Sequence, residues 1–216
     1  MRTATWTGIG GAALVAVSAA VAYSPPARRW CLTYGATADE ITGTLPGDEL
    51  LPHPDLQFTR AITIAAPPSS VWPWLVQMGS GRGGAYTYDW IENLFGLNMH
   101  SADEILPEFQ DLATGDLLPL GPNGPAMRVE ICDPDRTLAF RSTVGDWVWS
   151  FHLSGHRLGT RLVSRNRIAV THPGPALRLV NRVVMEPGSL IMERRMLLGI
   201  KERAERGAPV AVVQAA

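Results

Sequence analysis

Glu193 puts a carboxylate on a face that otherwise reads as core. With residues 189–206 projected at about 100° per residue, Leu190, Met192, Met196, Leu197, Ile200 and Ala204 share one broad side, and Glu193 falls in its middle. A charge facing apolar neighbours costs several kcal/mol unless it is paired or protonated. It can pair with a sheet or loop arginine, such as Arg60 or Arg165, and anchor the helix. It can instead line a cavity, where it recognises a ligand or serves as a general acid or base with a raised pKa. A different register would leave it exposed. A second cluster, Tyr86, Tyr88, Asp89, Trp90, Glu92 and Asn93, is expected to supply mostly core and surface residues. The hydroxyl of Tyr86 or Tyr88 could still meet a ligand carbonyl. Glu193, Tyr86 and Tyr88 are therefore the candidates for catalysis.

Other chemistry finds less support. Gly79-Ser-Gly-Arg-Gly-Gly84 spells a dinucleotide fingerprint, but that motif requires a preceding strand and a βαβ unit. Here Pro73 lies in a run that reads as helix, and antiparallel strands follow. The stretch reads as an inter-helix loop that could gate a ligand with Arg82. His152 and His156 have helical metal spacing but straddle a strand end and Gly155, so no metal site is expected. Cys31 and Cys132 are isolated, which argues against zinc and a disulfide framework. Neither a nucleophile elbow, a zincin helix nor a P-loop occurs, and no cofactor is expected.

The elements that must position these residues follow from patterning. At 216 residues, 46% hydrophobic and with a net charge of −1, the chain has room for one domain plus an appendage, and its scattered arginines exclude nucleic acid as a partner. Along residues 57–64, Phe58, Arg60, Ile62 and Ile64 alternate with Thr59, Ala61 and Thr63, predicting a half-buried strand. After Pro67-Pro68, Ser69 or Ser70 is expected to cap a helix carrying Val71, Leu75 and Met78. A second short helix begins near Thr87 and ends at Gly96. Ser101-Ala-Asp-Glu104 has the form of a capping box and predicts a third, limited by Pro107. Short strands are expected over 117–120, 126–132, 137–142, 146–153 and 160–170, separated by turn sequences as in an antiparallel meander. Helical patterning covers 176–185, breaks at Pro187-Gly188 and resumes over 189–206.

Four regions result: a hydrophobic segment at 1–30, a proline-rich lead-in at 31–56 that wraps the surface, a domain at 57–206 and a tail at 207–216. Residues 6–23 are nearly charge-free, about the minimum length for a membrane span, with Trp6 and Tyr23 at the interfaces. Arg28 and Arg29 after this run, against Arg2 before it, favour a membrane anchor with the domain in the cytoplasm. The competing reading is a secretory signal cleaved after Ala20-Val21-Ala22, which would yield a secreted protein.

The stretches LPGDELLP (45–52), TRAITIAAPPSSVWPWLVQMGSGRGGAYTYDWIENLFGL (59–97), SADEILPEFQDLATGD (101–116) and MERRMLLGIKERAE (192–205) resemble the SRPBCC (START-like) superfamily in its polyketide cyclase/dehydrase-type branch. The resemblance implies an α+β helix-grip fold, in which a curved antiparallel sheet wraps a long C-terminal helix and two short helices follow the first strand. It also implies an apolar cavity between sheet and helix, and a bulkier aromatic where this chain has Ala85. The residues expected to bind ligand are Trp74, Met78, Arg82, Tyr86, Tyr88, Trp149, Met192, Glu193 and Met196. Binding or carriage of a lipid-like or polyketide-like molecule is the leading expectation. A cyclase or dehydratase using the same cavity is the enzymatic alternative, and a membrane-tethered structural or interaction protein without a ligand is a third; no protein partner is indicated.

Overall fold

Alternating side chains give the sheet two chemically different faces. The computed structural model describes residues 24–121, 125–170 and 174–207. Its strands are β1 (Leu56–Ile64), β2 (Leu117–Pro119), β3 (Ala126–Asp133), β4 (Thr137–Ser142), β5 (Trp147–His156) and β6 (Gly159–Ile168). They form one antiparallel sheet in the order β1-β6-β5-β4-β3-β2. The last five make the expected meander, and β1 closes onto β6. Arg60 stands opposite Ser164, and Phe58 and Trp149 both stand opposite Asn166. Phe58, Arg60, Ile62 and Ile64 thus share the inner face with Trp149, Phe151, Ser164 and Asn166. A register shift between Val129 and Ile131 breaks the β3–β4 ladder, a device that adds bend and twist.

The helices are α1 (Pro25–Leu32), α2 (Ala38–Thr42), α3 (Pro68–Val76), α4 (Asp89–Leu94), α5 (Pro175–Val180) and α6 (Glu186–Gly207). The last of these packs on β1 and α3, burying Leu190, Met196, Leu197, Ile200 and Ala204. This is the helix-grip arrangement. Gly199 permits the close fit: a Cβ there would lie 2.5 Å from the Tyr86 carbonyl oxygen.

Three expectations about boundaries are corrected. Helix α3 starts at Pro68, with Pro67 as its cap, rather than at Ser69 or Ser70. Proline suits the first helical position because its fixed φ matches the helix and its missing N–H has no partner there anyway. Ser101 does not begin a helix. Its hydroxyl donates to Asp89 Oδ1 at 2.6 Å and accepts from the Tyr86 N–H at 3.0 Å, so long-range partners take the groups that a capping box would use. Pro187-Gly188 does not interrupt the C-terminal helix. A π-helical turn, Asn181–Met185, in which the Glu186 N–H reaches the Asn181 carbonyl, joins α5 to α6. That wider turn immediately precedes Pro187 and accommodates a ring that a regular turn would crowd.

The lead-in covers the outer face of the sheet, and arginines of β6 hold it there. Arg161 forms a two-pronged pair with Glu40 at 2.7 and 2.8 Å. Arg165 donates to Asp48 at 2.6 Å and to the Gly43 carbonyl at 2.9 Å, while Arg167 reaches the Leu51 and Pro52 carbonyls. Thr37 and Glu40 form the expected capping box at α2. Arg28 of α1 donates to both carboxylate oxygens of Glu186 at 2.8 Å, fixing α1 to the first turn of α6. The apolar run 6–23, expected as an anchoring helix, lies outside the described residues, as does the tail from 208. Among the described residues no helix is long and apolar enough to cross a membrane.

Candidate functional site

A cavity of about 350 Å³ lies between the inner face and α6. Its walls are largely apolar: Phe58 from β1, Trp147 and Trp149 from β5, Ile168 from β6, and Met185, Met192 and Met196 from the C-terminal helical run. Trp147 and Trp149 lie on one side of β5, stacked with centroids 5.8 Å apart. Each indole N–H is satisfied by β6, Trp147 donating to Asn166 Oδ1 at 2.8 Å and Trp149 to Ser164 Oγ at 2.9 Å. Rings held this way present flat apolar surface without a loose polar edge. Met185 lines the cavity and is 59% exposed, so the cavity reaches the surface at the π-helical turn. A smaller cavity, about 70 Å³, lies beyond Ala85 and Trp149, which wall both; Met78, Met127 and Phe140 line it.

Glu193 sits at the polar end of the larger cavity and is paired. It forms a buried ion pair with Arg60. Ser164 Oγ donates to its Oε1 at 2.6 Å, and Asn166 Nδ2 lies 3.4 Å from each carboxyl oxygen. Arg60 is fully buried, donating also to Ser189 Oγ at 2.9 Å and to the Cys31 carbonyl at 3.1 Å. Burial pushes the Glu193 carboxyl above its usual range, against the pull of the Arg60 guanidinium and the Ser164 hydroxyl. Arg165, the other arginine considered for this pairing, points to the opposite face of the sheet and serves Asp48.

The remaining candidates divide by position. Met78 lines the smaller cavity; Trp149, Met192, Glu193 and Met196 line the larger. Trp74 packs edge-on against Tyr86, with centroids 5.9 Å apart, and lines neither. The Tyr86 hydroxyl donates to the Trp74 carbonyl at 2.9 Å, and burial raises its pKa further from neutrality. Tyr86 is held at φ +57 with the Arg203 guanidinium 4.8 Å above its ring, as a fixed joint between the glycine loop and α6. Arg82 folds back over the Phe109 ring at 4.4 Å and donates to the Val76 and Phe109 carbonyls, closing its own loop. That loop is pinned by reciprocal backbone bonds between Gly79 and Gly84, at 2.9 and 3.2 Å. Tyr88 caps the start of α4 and is 37% exposed, away from both cavities.

Residues that sequence reasoning left out of the site include Trp147, Asn166, Ser164, Ser189, Thr87 and Glu92. Ser164 and Asn166 carried a signal, since they interrupt the apolar alternation of Leu162 and Ile168 along β6. Glu92 carried little, lying in a six-residue helix too short for its pattern to show which side is buried. It lines the larger cavity together with Thr87, and burial raises its pKa against the pull of the Thr87 hydroxyl.

No family model matches this chain, and no curated protein matches it. Among solved structures it is similar to the KanY protein, at 14% identity over 69% of this chain and 97% of that one, with a TM-score of 0.46. It is also similar to protein MLL2253 from Mesorhizobium loti, at 16% identity over 71% and 100%, with a TM-score of 0.43. The Polyketide_cyc-like protein Cgl2372 from Corynebacterium glutamicum matches at 19% identity over 71% and 89%, with a TM-score of 0.34. The helix-grip description rests on this chain's own strand order and docked helix.

Proposed function

We propose that the protein binds a small hydrophobic molecule, lipid-like or polyketide-like, in the cavity between the sheet and α6. The observation that carries this reading is the cavity itself: about 350 Å³, walled by two fixed indoles and three methionines, and reaching the surface at Met185. A volume of that order suits a ligand of modest size, and methionine walls adapt to irregular shapes. A filled core, as the purely structural alternative requires, would leave no such space.

A cyclase or dehydratase would need an acid or base free to act on the ligand. The Glu193 carboxyl is occupied by Arg60 and Ser164, and the Tyr86 hydroxyl by a backbone carbonyl. With those candidates engaged, carriage is the reading we favour, although Glu92 on the same wall has no cation partner among the described residues. The anchor proposed for residues 6–23 would place this carrier at a membrane, where such ligands partition.

Native mass spectrometry of the full chain, purified without solvent extraction, tests the proposal. A mass increment that organic solvent removes is the expected result. A bare mass, together with no uptake of added hydrophobic dye, overturns it.

A further inference from the structure

The helical run 175–185, made of α5 and the π-helical turn, buries none of its residues. A helix at the surface of a folded domain ordinarily hides one side against the core. Here Leu177, Leu179, Val180, Val183, Val184 and Met185 are all exposed. Projected at about 100° per residue, the first five fall within an arc of about 160°, and Arg178, Asn181 and Arg182 take the other side. So ordered an apolar face, left open by the described residues, marks a contact surface rather than scattered exposed side chains.

Charge says what meets this face. Residues 171–185 include Arg178 and Arg182 and no aspartate or glutamate. Glu186, which follows, is turned inward onto Arg28 and is buried. Arg29 of α1, the helix clamped there by Arg28, adds another exposed cation. Branched apolar side chains on one side and cations on the other suit a helix lying in an anionic lipid surface, its apolar face among acyl chains and its arginines reaching headgroup phosphates. A second copy docked about a twofold axis would instead bring the same cations together. The course of the chain points the same way. The uncharged run 6–23 leads to Ser24, the cap of α1. About one helical turn on, Arg28 is bonded to the residue directly after Met185. A run inserted in a bilayer would therefore bring this face to the surface of the same bilayer.

We propose that residues 175–185 lie in the surface of an anionic bilayer, with Leu179, Val180, Val183 and Val184 among the acyl chains. So short a helix buries too little to hold the protein there unaided, and its role is orientation. It turns the domain so that the cavity opening at Met185 meets lipid, whatever the cavity holds.

The full-length chain, reconstituted in phosphatidylcholine vesicles containing about one quarter phosphatidylglycerol, tests this with a nitrobenzoxadiazole label at Leu179→Cys or Val184→Cys. Cys31 and Cys132 are first replaced by serine, which still donates to the carbonyls their thiols meet. Leu158→Cys is the control: it is exposed in the β5–β6 turn, ten residues and about 30 Å along β6 from the cavity residue Ile168. Labels at 179 and 184 should emit to the blue and be quenched by doxyl-labelled lipid, and the label at 158 should do neither. Chain that floats with the vesicles but shows all three labels alike in water would overturn the helix's role and leave the anchor at 6–23 standing. Blue emission without quenching by doxyl lipid would also overturn it, since protein, either residues 6–23 or a second copy, would then cover the face. Failure to float at all would overturn both membrane readings. Both labelled sites are exposed, and thermal midpoints equal to that of the unlabelled chain show that the fold is kept.

Discussion

Arg60 and Glu193 join the edge strand β1 to the gripped helix α6 through an ion pair that water scarcely reaches, Arg60 being fully buried and Glu193 8% exposed. Every other polar contact around the pair reinforces it: Ser164 and Asn166 from β6 on the carboxylate, Ser189 and the Cys31 carbonyl on the guanidinium. Desolvating two charges is costly, so the pair's worth lies in orientation, and breaking it leaves one charge stranded. Glu193→Gln should lower unfolding free energy by about 1–3 kcal/mol while ligand uptake changes little. Replacing both partners together, Arg60→Met with Glu193→Leu, should cost less than the two single changes added. Denaturant unfolding of wild type, Glu193→Gln, the two single variants and the double variant measures this, and a Glu193→Gln protein of normal stability that no longer takes up ligand would contradict the anchoring role.

Much of this was legible in the sequence, and the reasons for the rest are specific. The period-2 run from Phe58 to Ile64 put Arg60 on one face with Phe58, Ile62 and Ile64, and the helical projection put Glu193 on the packed face, with Arg60 one of two arginines named as its possible partner. What local patterning could not supply was pairing between distant segments. The Trp147–Asn166 bond depends on the β5–β6 register, and Ser101 is claimed by Asp89 only because a loop brings it there. Local rules also misread Pro187, because the π-helical turn that accommodates it has no recognisable sequence signature. Glu92 was grouped with core and surface residues because a single turn and a half of helix defines no face.

Ala85 tests the cavity from the wall it shares with the smaller one. It walls both cavities, at a position where the family resemblance implies a larger ring. Ala85→Phe should fill the junction and lower affinity for an added hydrophobic dye by at least about tenfold. Overpacking would cost about 1–3 kcal/mol, a shift of a few degrees in thermal midpoint. Unchanged uptake would place the ligand elsewhere.

His152 gives the fold a pH dependence of known sign. Its ring lies on the outer face of β5, 2.9 Å from Ser150 Oγ, and is 8% exposed. Burial, with a smaller push from Arg165, lowers its pKa from 6.5 to about 4. The folded value is depressed, so the unfolded chain takes up the proton first as pH falls. Stability from this residue is complete above about pH 6.5 and is lost between about 6.5 and 4, by up to roughly 3 kcal/mol. Carboxylates titrate near the lower end of that window, so the informative quantity is the difference between wild type and His152→Gln. The variant's unfolding free energy should be flatter with pH between 6.5 and 5, and parallel curves would refute the assignment.

The anchor proposed for residues 6–23 connects to a docked element, and that decides where to cut. Helix α1 starts at Pro25 and is clamped to α6 by Arg28 on Glu186 and by the Cys31 thiol on the Glu186 carbonyl, at 3.2 Å. A shortened chain should therefore begin at Ser24, since starting nearer Tyr34 would remove those contacts and uncover α6. An apolar run leading into Ser24 would meet the domain close to the start of α6, near the exposed Val183, Val184 and Met185 of the π-helical turn. These residues would face lipid if the run spans a bilayer, with the cavity opening at Met185 turned toward the same surface. Cell fractionation should find the full chain in the membrane pellet, resistant to a high-salt wash, and the chain from Ser24 mainly in the soluble fraction. A mature secreted protein starting at Tyr23 would show that the run is a cleaved signal, and the chain from Ser24, lacking that signal, would then stay inside the cell.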